Sequence, residues 1–393
     1  MKYTVGFNWD LGLIDKIDYP EVESVYGGIG SAVIGGGRAP LVIKDVNEDT
    51  IKECIKRVHN KGWDFDFTVN SGCTSNKEFT KEGHSEIVKY LEWVCNLGVD
   101  SVTVTLPSLI SIVKKYFPNL KIKISTFQRI TSVAMAKRFE DLGADAIMIC
   151  EHSNRDFKLL RALRSAVKCK IALVANVGCV YYCQNAHSHI VSTSHSGTIG
   201  ECNSIATAIP YTADCLHTRL KDVSEFIKIR YIRPEDVSVY EDLGIDMLKI
   251  VDRHTKTDIL ADRVKAYHER SFDGNLLYII GQKAERKTDD MNIDVLKKIA
   301  SQSKEAEEKT YEFFNYLKVS ISDLINIDNK KFPNDFLKEF EKKDCTRISC
   351  EMCGYCKKIS EHIITTAGQD KINEALESVK ELKARLVNGN ILY

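Results

Sequence analysis

Three short runs decide the fold: GVDSVTVT at residues 98–105, GADAIMIC at 143–150 and GIDMLKIV at 244–251. Each reads glycine, an apolar residue, aspartate, then a β-rich stretch, and each follows a helical segment. Glycine at that point suits a left-handed helix C-cap. The apolar run behind it suits a strand buried on both faces of a parallel sheet. Working outward, five more candidate strands are TVGFN from Thr4, VESVYGG from Val22, DFDFTVN from Asp64, KIKISTF from Lys121 and KIALVAN from Lys170. Helical segments are expected between most of them, at 47–61, 76–96, 130–142, 154–167 and 234–243. In the last, Pro234 fits the first helical position, and Glu235 and Asp236 favour the positive end of the helix dipole. Eight alternating β and α units over the first ~270 residues predict an α/β fold, a (β/α)8 TIM-like barrel. A doubly wound open sheet is the alternative.

The chain has 393 residues, more than one barrel needs. The expected organisation is a barrel over 1–270 with a long 177–233 insertion, a helical linker segment over 271–330, and a cysteine-rich tail over 331–393. A linker is expected near 282–291 and an amphipathic helix near 368–387. Lysine plus arginine and aspartate plus glutamate are equal at 55 each. That balance disfavours a general nucleic-acid binder, whose affinity comes from excess cations, and leaves room for a local basic groove. The start, MKYTVGFNWDLGLID, has no signal-peptide pattern, and no run of about 20 apolar residues occurs. The expectation is a cytoplasmic protein with no membrane span.

In a barrel, chemistry sits just past the strand C-termini. Those positions read Asn8-Trp9-Asp10, Asn70-Ser71-Gly72-Cys73, Thr105, Gln128-Arg129, Cys150-Glu151-His152, Asn176 to Cys183, and Asp252-Arg253-His254. The glycines of Gly27-Gly28-Ile29-Gly30 and Gly35-Gly36-Gly37-Arg38 read as a flexible lid. Lys249 alternates with Met247 and Val251 and is expected to point into the mouth. With Arg253, Arg129 and Arg233 it makes a candidate site for a carboxylated or phosphorylated substrate, with ion pairing to Asp252 or Glu151 as the plainer reading.

The 13 cysteines are unevenly spread, and in a reducing compartment clusters of them point to metal or redox chemistry. Cys54, Cys95 and Cys169 read as ordinary buried thiols. The tail motif CTRISCEMCGYC spaces Cys345, Cys350, Cys353 and Cys356 as C-x4-C-x2-C-x2-C. Such thiols can curl around one iron–sulfur cluster, or a structural zinc as the alternative, and Gly354 allows the tight turn. The loop NVGCVYYCQNAHSHIVSTSHS (176–196) reads as structureless and holds Cys179 and Cys183. Cys215 follows, with Cys202, His187, His189, His195 or a tail thiol as candidate fourth ligands. The three histidines are also candidate proton carriers. His187 and His189, two apart, would share a face in an extended segment.

VESVYGG, the glycine–apolar–aspartate strands, the VGCVYYC turn, DCLHTRLKD and YIRPEDVSVYEDLGIDMLKIVDR together resemble the peptidase U-32 (collagenase-like) family over roughly 1–270. IDNKKFPNDFLKEFEKKDCTRISCEMCGYC is similar to the ending of one branch of that family. The resemblance implies a TIM-like barrel with a cysteine-ligated 4Fe–4S cluster, one or two in number, and Cys179, Cys183 and Cys215 match the family cysteines in order. Several members are not peptidases and support oxygen-independent hydroxylation of RNA bases or quinone precursors, with prephenate implicated as oxygen donor. One departure is that the family's usual histidine-glycine-alanine run before the first cysteine is replaced here by Asn176-Val177-Gly178.

The leading expectation is therefore an iron–sulfur enzyme modifying a small molecule or nucleobase without oxygen. Lys249, Arg253 and Arg129 would bind an anionic substrate. A metal-dependent peptidase or peptide maturase is the second reading, although no H-E-x-x-H or G-x-S-x-G motif is present. The third is a non-catalytic iron–sulfur subunit of a heteromer, with a protein partner.

Overall fold

The computed structural model describes residues 1–38, 40, 43–44, 46–198, 209–281 and 321–388. All eight expected strands form: β1 (Lys2–Gly6), β2 (Val22–Gly27), β3 (Asp64–Val69), β4 (Ser101–Val104), β5 (Lys121–Ile124), β6 (Ala146–Met148), β7 (Lys170–Val174) and β8 (Met247–Ile250). They close in chain order into a barrel of parallel pairs, with Thr4 of β1 facing Lys249 of β8 across the seam. The (β/α)8 barrel is the fold, and the open sheet is not.

The repeat that marks the strands also joins them. Gly98, Gly143 and Gly244 have φ of 89°, 96° and 75°, the left-handed C-cap that glycine takes without strain. Two residues on, each aspartate clasps the preceding strand at two points. Asp100 N–H donates to Phe65 O (3.0 Å) and its carboxylate accepts from Phe65 N (2.7 Å). Asp145 does the same to Ile122 (2.8 and 2.8 Å), and Asp246 to Ile171 (3.1 and 2.7 Å). These clasps set the register of β3 with β4, β5 with β6 and β7 with β8.

Helices cover the outside. Glu48–Asn60, Lys81–Asn96, Val133–Asp141 and Phe157–Ala166 are capped by the side chains of Asn47, Thr80, Ser132 and Asp156, each satisfying an otherwise orphaned N–H. Pro107–Tyr116 is a helix that the sequence reading passed over, although Pro107 at its first turn is a start signal. Outward strand residues meet these helices: Phe67 packs edge-on against Trp93, and the Tyr3 hydroxyl donates to Tyr267 O. The alternate residues point inward and are polar. Ser101 and Thr103 donate to Asp66 at 3.0 and 2.5 Å, and Thr4, Ser24, Thr68 and Lys249 share that interior. Barrel interiors are usually packed with branched apolar side chains, so this one departs from the norm.

Two expectations about the mouth need correction. The 176–196 stretch is not structureless: Ala186–Ser196 is a helix. Its sequence lacks an amphipathic stripe because the helix is packed from several sides by polar contacts. Ser194 accepts from Gly72 N (2.7 Å), and the His195 ring lies 3.3 Å from the Ser75 hydroxyl. The glycine-rich segment 28–38 is likewise no loose lid. Ala32 donates to Gly197 O (3.0 Å), Gly37 donates to Asn70 Oδ1 (2.9 Å), and most of the segment is buried. A Cβ at Gly37 would meet Phe127 at 2.7 Å and Asn70 at 2.8 Å, so glycine there permits close packing rather than motion.

The tail folds back on the barrel. Phe332, Phe336, Phe340 and Tyr355 pack on one another, mostly edge to face, and meet the guanidinium groups of Arg155, Arg230 and Arg233 at 4.4–5.8 Å. β9 (Ile325–Ile327) pairs antiparallel with β10 (Ile364–Thr366). The helix Gln369–Val387 appears where 368–387 was read and lies along the helix Ile209–Lys221, with Lys383 2.6 Å from Asp214. Of the segment read as a helical linker, 282–320 lies outside the described residues.

Replacing Asp246 by alanine removes the acceptor of the Ile171 N–H and of Arg164. The expected cost is about 1–3 kcal/mol, read from thermal or urea unfolding, with faster hydrogen exchange at the Ile171 amide. Unchanged exchange there would show that the clasp does not hold the strand.

Candidate functional site at the barrel mouth

Of the cations at the mouth, Lys249 and Arg253 stand without a paired carboxylate among the described residues. Lys249 Nζ sits 3.7 Å from the centroid of the Tyr26 ring. Burial pushes its amine down to about 7; Asp66 opposes this, while Arg253, Lys123 and Arg38 add to it. Arg253 is 7% exposed and donates to the Thr68 hydroxyl. Burial lowers its pKa as well, with Arg38 acting in the same sense. The nearby carboxylates are engaged elsewhere. Asp66 takes the Ser101 and Thr103 hydroxyls. Asp252 takes a two-pronged Arg38 (3.0 and 3.0 Å) and His254 (3.2 Å). Burial alone would raise the Asp252 carboxyl, but Arg38 and His254 hold it well below the usual carboxylate range. Among the described residues no carboxylate pairs with Lys249 or Arg253, an arrangement that receives an anion. Arg129 is bound to Glu151 at 3.3 Å. Arg233 is locked to Asp236 at 2.7 and 2.9 Å, so the plainer ion-pair reading holds for Arg233.

The insertion cysteines lie within electrostatic reach of Arg38, Arg129 and Arg219. The helix Ile209–Lys221 carries Cys215 up to Cys183. A hydrogen bond from the Cys215 thiol holds Cys183 below its ordinary value and pushes Cys215 up. Cys179 is exposed and lies within electrostatic reach of Glu151, Arg219, Arg38 and Cys183. Thus three thiols from two separated segments converge, with arginines around them. Cys202 lies outside the described residues. A single zinc at ~2.3 Å from each thiolate needs sulfurs only ~3.8 Å apart. Among the described residues, Cys179, Cys183 and Cys215 do not form a set within 4.8 Å of one another. Soft sulfur donors with arginines around them are a donor set that can hold an iron–sulfur group.

One group among the described residues does fit a single ion: Cys150, Glu151 and His152, buried just past β6, whose ligand atoms lie within 4.8 Å of one another. Burial, reinforced by Glu151, pushes the Cys150 thiol up to about 12. Burial also pushes His152 down to about 4, against the pull of Glu151. Glu151 is already held by Arg129 and by the Thr126 hydroxyl at 2.9 Å. His152 stacks on Tyr182 at 5.1 Å and meets Tyr181 edge-on at 5.6 Å, which ties it to the Cys179–Cys183 turn.

The three candidate histidines sit on the helix Ala186–Ser196, where neighbours two apart point to different sides; His187 and His189 therefore do not share a face. His187 is exposed. His189 stacks on Tyr211 at 4.9 Å, and burial followed by Arg38 lowers its pKa. His195 contacts Ser75. In the tail, Cys345, Cys350, Cys353 and Cys356 all line one cavity of about 240 Å³, on the side of the barrel where Arg155 and Arg230 emerge.

Sequence reasoning passed over Asp66, Thr68 and the Arg230–Tyr181 pair. For Asp66 a signal was present. In DFDFTV, Phe65 and Phe67 take the helix-facing side, so Asp66 and Thr68 fall on the inner one. For Arg230 there was none, because its role depends on a tail more than a hundred residues away in the chain.

The profile of peptidase family U32 matches residues 21–303. An uncharacterized protease of Methanocaldococcus jannaschii is 29% identical over 252 residues, covering 63% of this chain and 72% of that protein. The solved U32 peptidase Mk0906 superposes with a TM-score of 0.49 at 15% identity, over 63% of this chain and 90% of its own.

Lys249 makes a pH test available. Below pH 7 the charge is carried folded and unfolded, and burying it costs stability. Between about 7 and 10.5 the unfolded chain binds the extra proton, so stability rises with pH through that window. Lys249→Met is expected to unfold later than the natural protein at pH 6, by on the order of 1–2 kcal/mol, with the gap shrinking towards pH 10. Equal gaps at both pH values would contradict a buried charge.

Proposed function

The chain belongs to peptidase family U32, and on that premise we propose that it is an iron–sulfur enzyme working at the barrel mouth on an anionic small molecule or nucleobase. Two observations carry this: Cys183 meets Cys215, with Cys179, Arg38, Arg129 and Arg219 within electrostatic reach of these thiols, and the Lys249 and Arg253 cations have no carboxylate of their own among the described residues. Cys179, Cys183 and Cys215 would hold a 4Fe–4S group, with one further ligand from Cys202 or a neighbouring histidine. When bound, such a group supplies one-electron chemistry or a Lewis-acidic iron. The reaction class proposed is oxygen-independent hydroxylation or a related modification.

The chain's own residues divide the remaining work. Arg253, held by Thr68, and Lys249, poised over Tyr26, orient a carboxylate or phosphate. Near pH 7 Lys249 exchanges a proton readily, so it can both bind the anion and pass a proton at Nζ. Arg38 fixes Asp252 and, with the packed segment 28–38, covers the mouth against water. His195 and His189 stand on the covering helix as candidate proton carriers.

A second reading has its own observation. The buried Cys150–Glu151–His152 group can take one divalent ion, as a metal-dependent peptidase would need. Its high thiol pKa and the prior engagement of Glu151 weigh against it.

Protein purified without oxygen is expected to be brown and to contain iron with acid-labile sulfide. Cys183→Ser and Cys215→Ser should each remove the iron of the mouth while leaving the melting transition in place. Lys249→Met and Arg253→Met should retain iron and weaken anion binding roughly tenfold each. Iron-free protein whose peptide cleavage survives both cysteine changes but is lost in His152→Ala would favour the peptidase reading.

A further inference from the structure

The tail cysteines form a second place of convergence, independent of the mouth. Cys350–Cys353 is a single helical turn capped by Ser349. Gly354, at φ 63°, then reverses the chain so that Cys356 starts the next helix facing the same hollow. Cys345 closes the set from the preceding loop, and all four thiols line the one cavity.

The rest of the lining mixes charges, with Lys228 and Lys343 paired to Asp222 and Glu339, so among the described residues the cation without a carboxylate partner nearest the thiols is Arg230. Lys343 reaches Cys353 from the rim. Arg230 is 4% exposed, lines the cavity, and leaves Nη1 without a hydrogen-bond partner. Its guanidinium lies over the Tyr181 ring at 3.9 Å and near Phe340 at 5.0 Å. Arg230 and Arg155 both lie within electrostatic reach of Cys356. A buried arginine with an unfilled N–H is costly, and an anion carrying sulfur acceptors in this hollow would satisfy it. As at the mouth, no three of these thiols come within 4.8 Å of one another, wider than one tetrahedral zinc requires.

We propose that this cavity holds a 4Fe–4S cluster on Cys345, Cys350, Cys353 and Cys356, a centre separate from the barrel mouth, with the Arg230 guanidinium as its buried counter-charge. Because Tyr181 lies between Cys179 and Cys183, Arg230 stands between the two cysteine sets. The assignment goes beyond the proposed function and does not need it.

The test is iron, sulfide and zinc content of the full chain prepared without oxygen, with electron paramagnetic resonance after reduction, for Cys353→Ser, Cys183→Ser and Arg230→Met. The expected result is that Cys353→Ser loses about half the iron and one of two resonance signals, and Cys183→Ser loses the other. Full iron in Cys353→Ser, zinc in the tail, or loss of all iron in both variants would overturn a separate tail cluster. Iron lost in Cys353→Ser but retained in Cys183→Ser would uphold the tail centre and remove the mouth reading; the reverse would do the opposite. Arg230→Met keeps all four thiols and covers the case in which Cys353→Ser does not fold. Its iron content should hold while the midpoint potential of one signal moves to more negative values, since a cation beside a cluster favours the reduced, more anionic state. Unmoved potentials would contradict the role given to Arg230.

Discussion

The barrel depends on a clasp made three times. Asp100, Asp145 and Asp246 each bind the first residues of the preceding strand with both backbone and carboxylate. A slip of one residue in any strand would swap its inner and outer faces. Here that would drive Phe65 and Phe67 into the interior and put Asp66 against the helices. Because the clasps fix the lower ends, the upper ends of β3, β6 and β8 arrive at the mouth with set side chains. Asn70, Glu151 and Arg253 owe their positions to that register, as does Lys249 within β8.

The price of the mouth is a polar interior. Asp66, Ser101 and Thr103 satisfy one another, whereas the Thr4 and Ser24 hydroxyls are buried without partners, and Lys249 is held partly discharged by burial. A fold selected for stability alone would fill these positions with branched apolar residues. Retaining a lysine and an arginine without carboxylate partners, at a mouth whose Arg38 and Arg129 reach the insertion thiols, accords with a site built for an anion. The outer parts are arranged to hold this in place: Arg38 crosses from the segment 28–38 to Asp252, and the helix Gln369–Val387 buttresses the helix that carries Cys215.

Much of this was legible in the chain, for physical reasons that differ between elements. Strand positions followed from glycine C-caps and apolar runs, both local properties. The aspartate of the repeat was visible, but its purpose was not, since its partner is a backbone N–H on another strand. The helix Ala186–Ser196 was hidden because Ser194 and His195 meet the 70–75 loop through polar contacts rather than through an apolar stripe. The glycines of 28–38 looked like freedom of motion, and they are room for Phe127, Asn70 and Ser194 instead. The tail motif announced a metal site by spacing alone. Its contact with the mouth loop through Arg230 and Tyr181 needed three dimensions.

The position of iron decides what the mouth is built for. An anomalous difference map collected at the iron edge, from crystals of the full chain grown without oxygen, addresses that directly. It should show a strong peak bounded by Cys179, Cys183 and Cys215, within reach of Arg253 and Lys249. A well-ordered mouth with those thiols in view and no iron density among them would contradict the assignment of this barrel as an iron–sulfur enzyme.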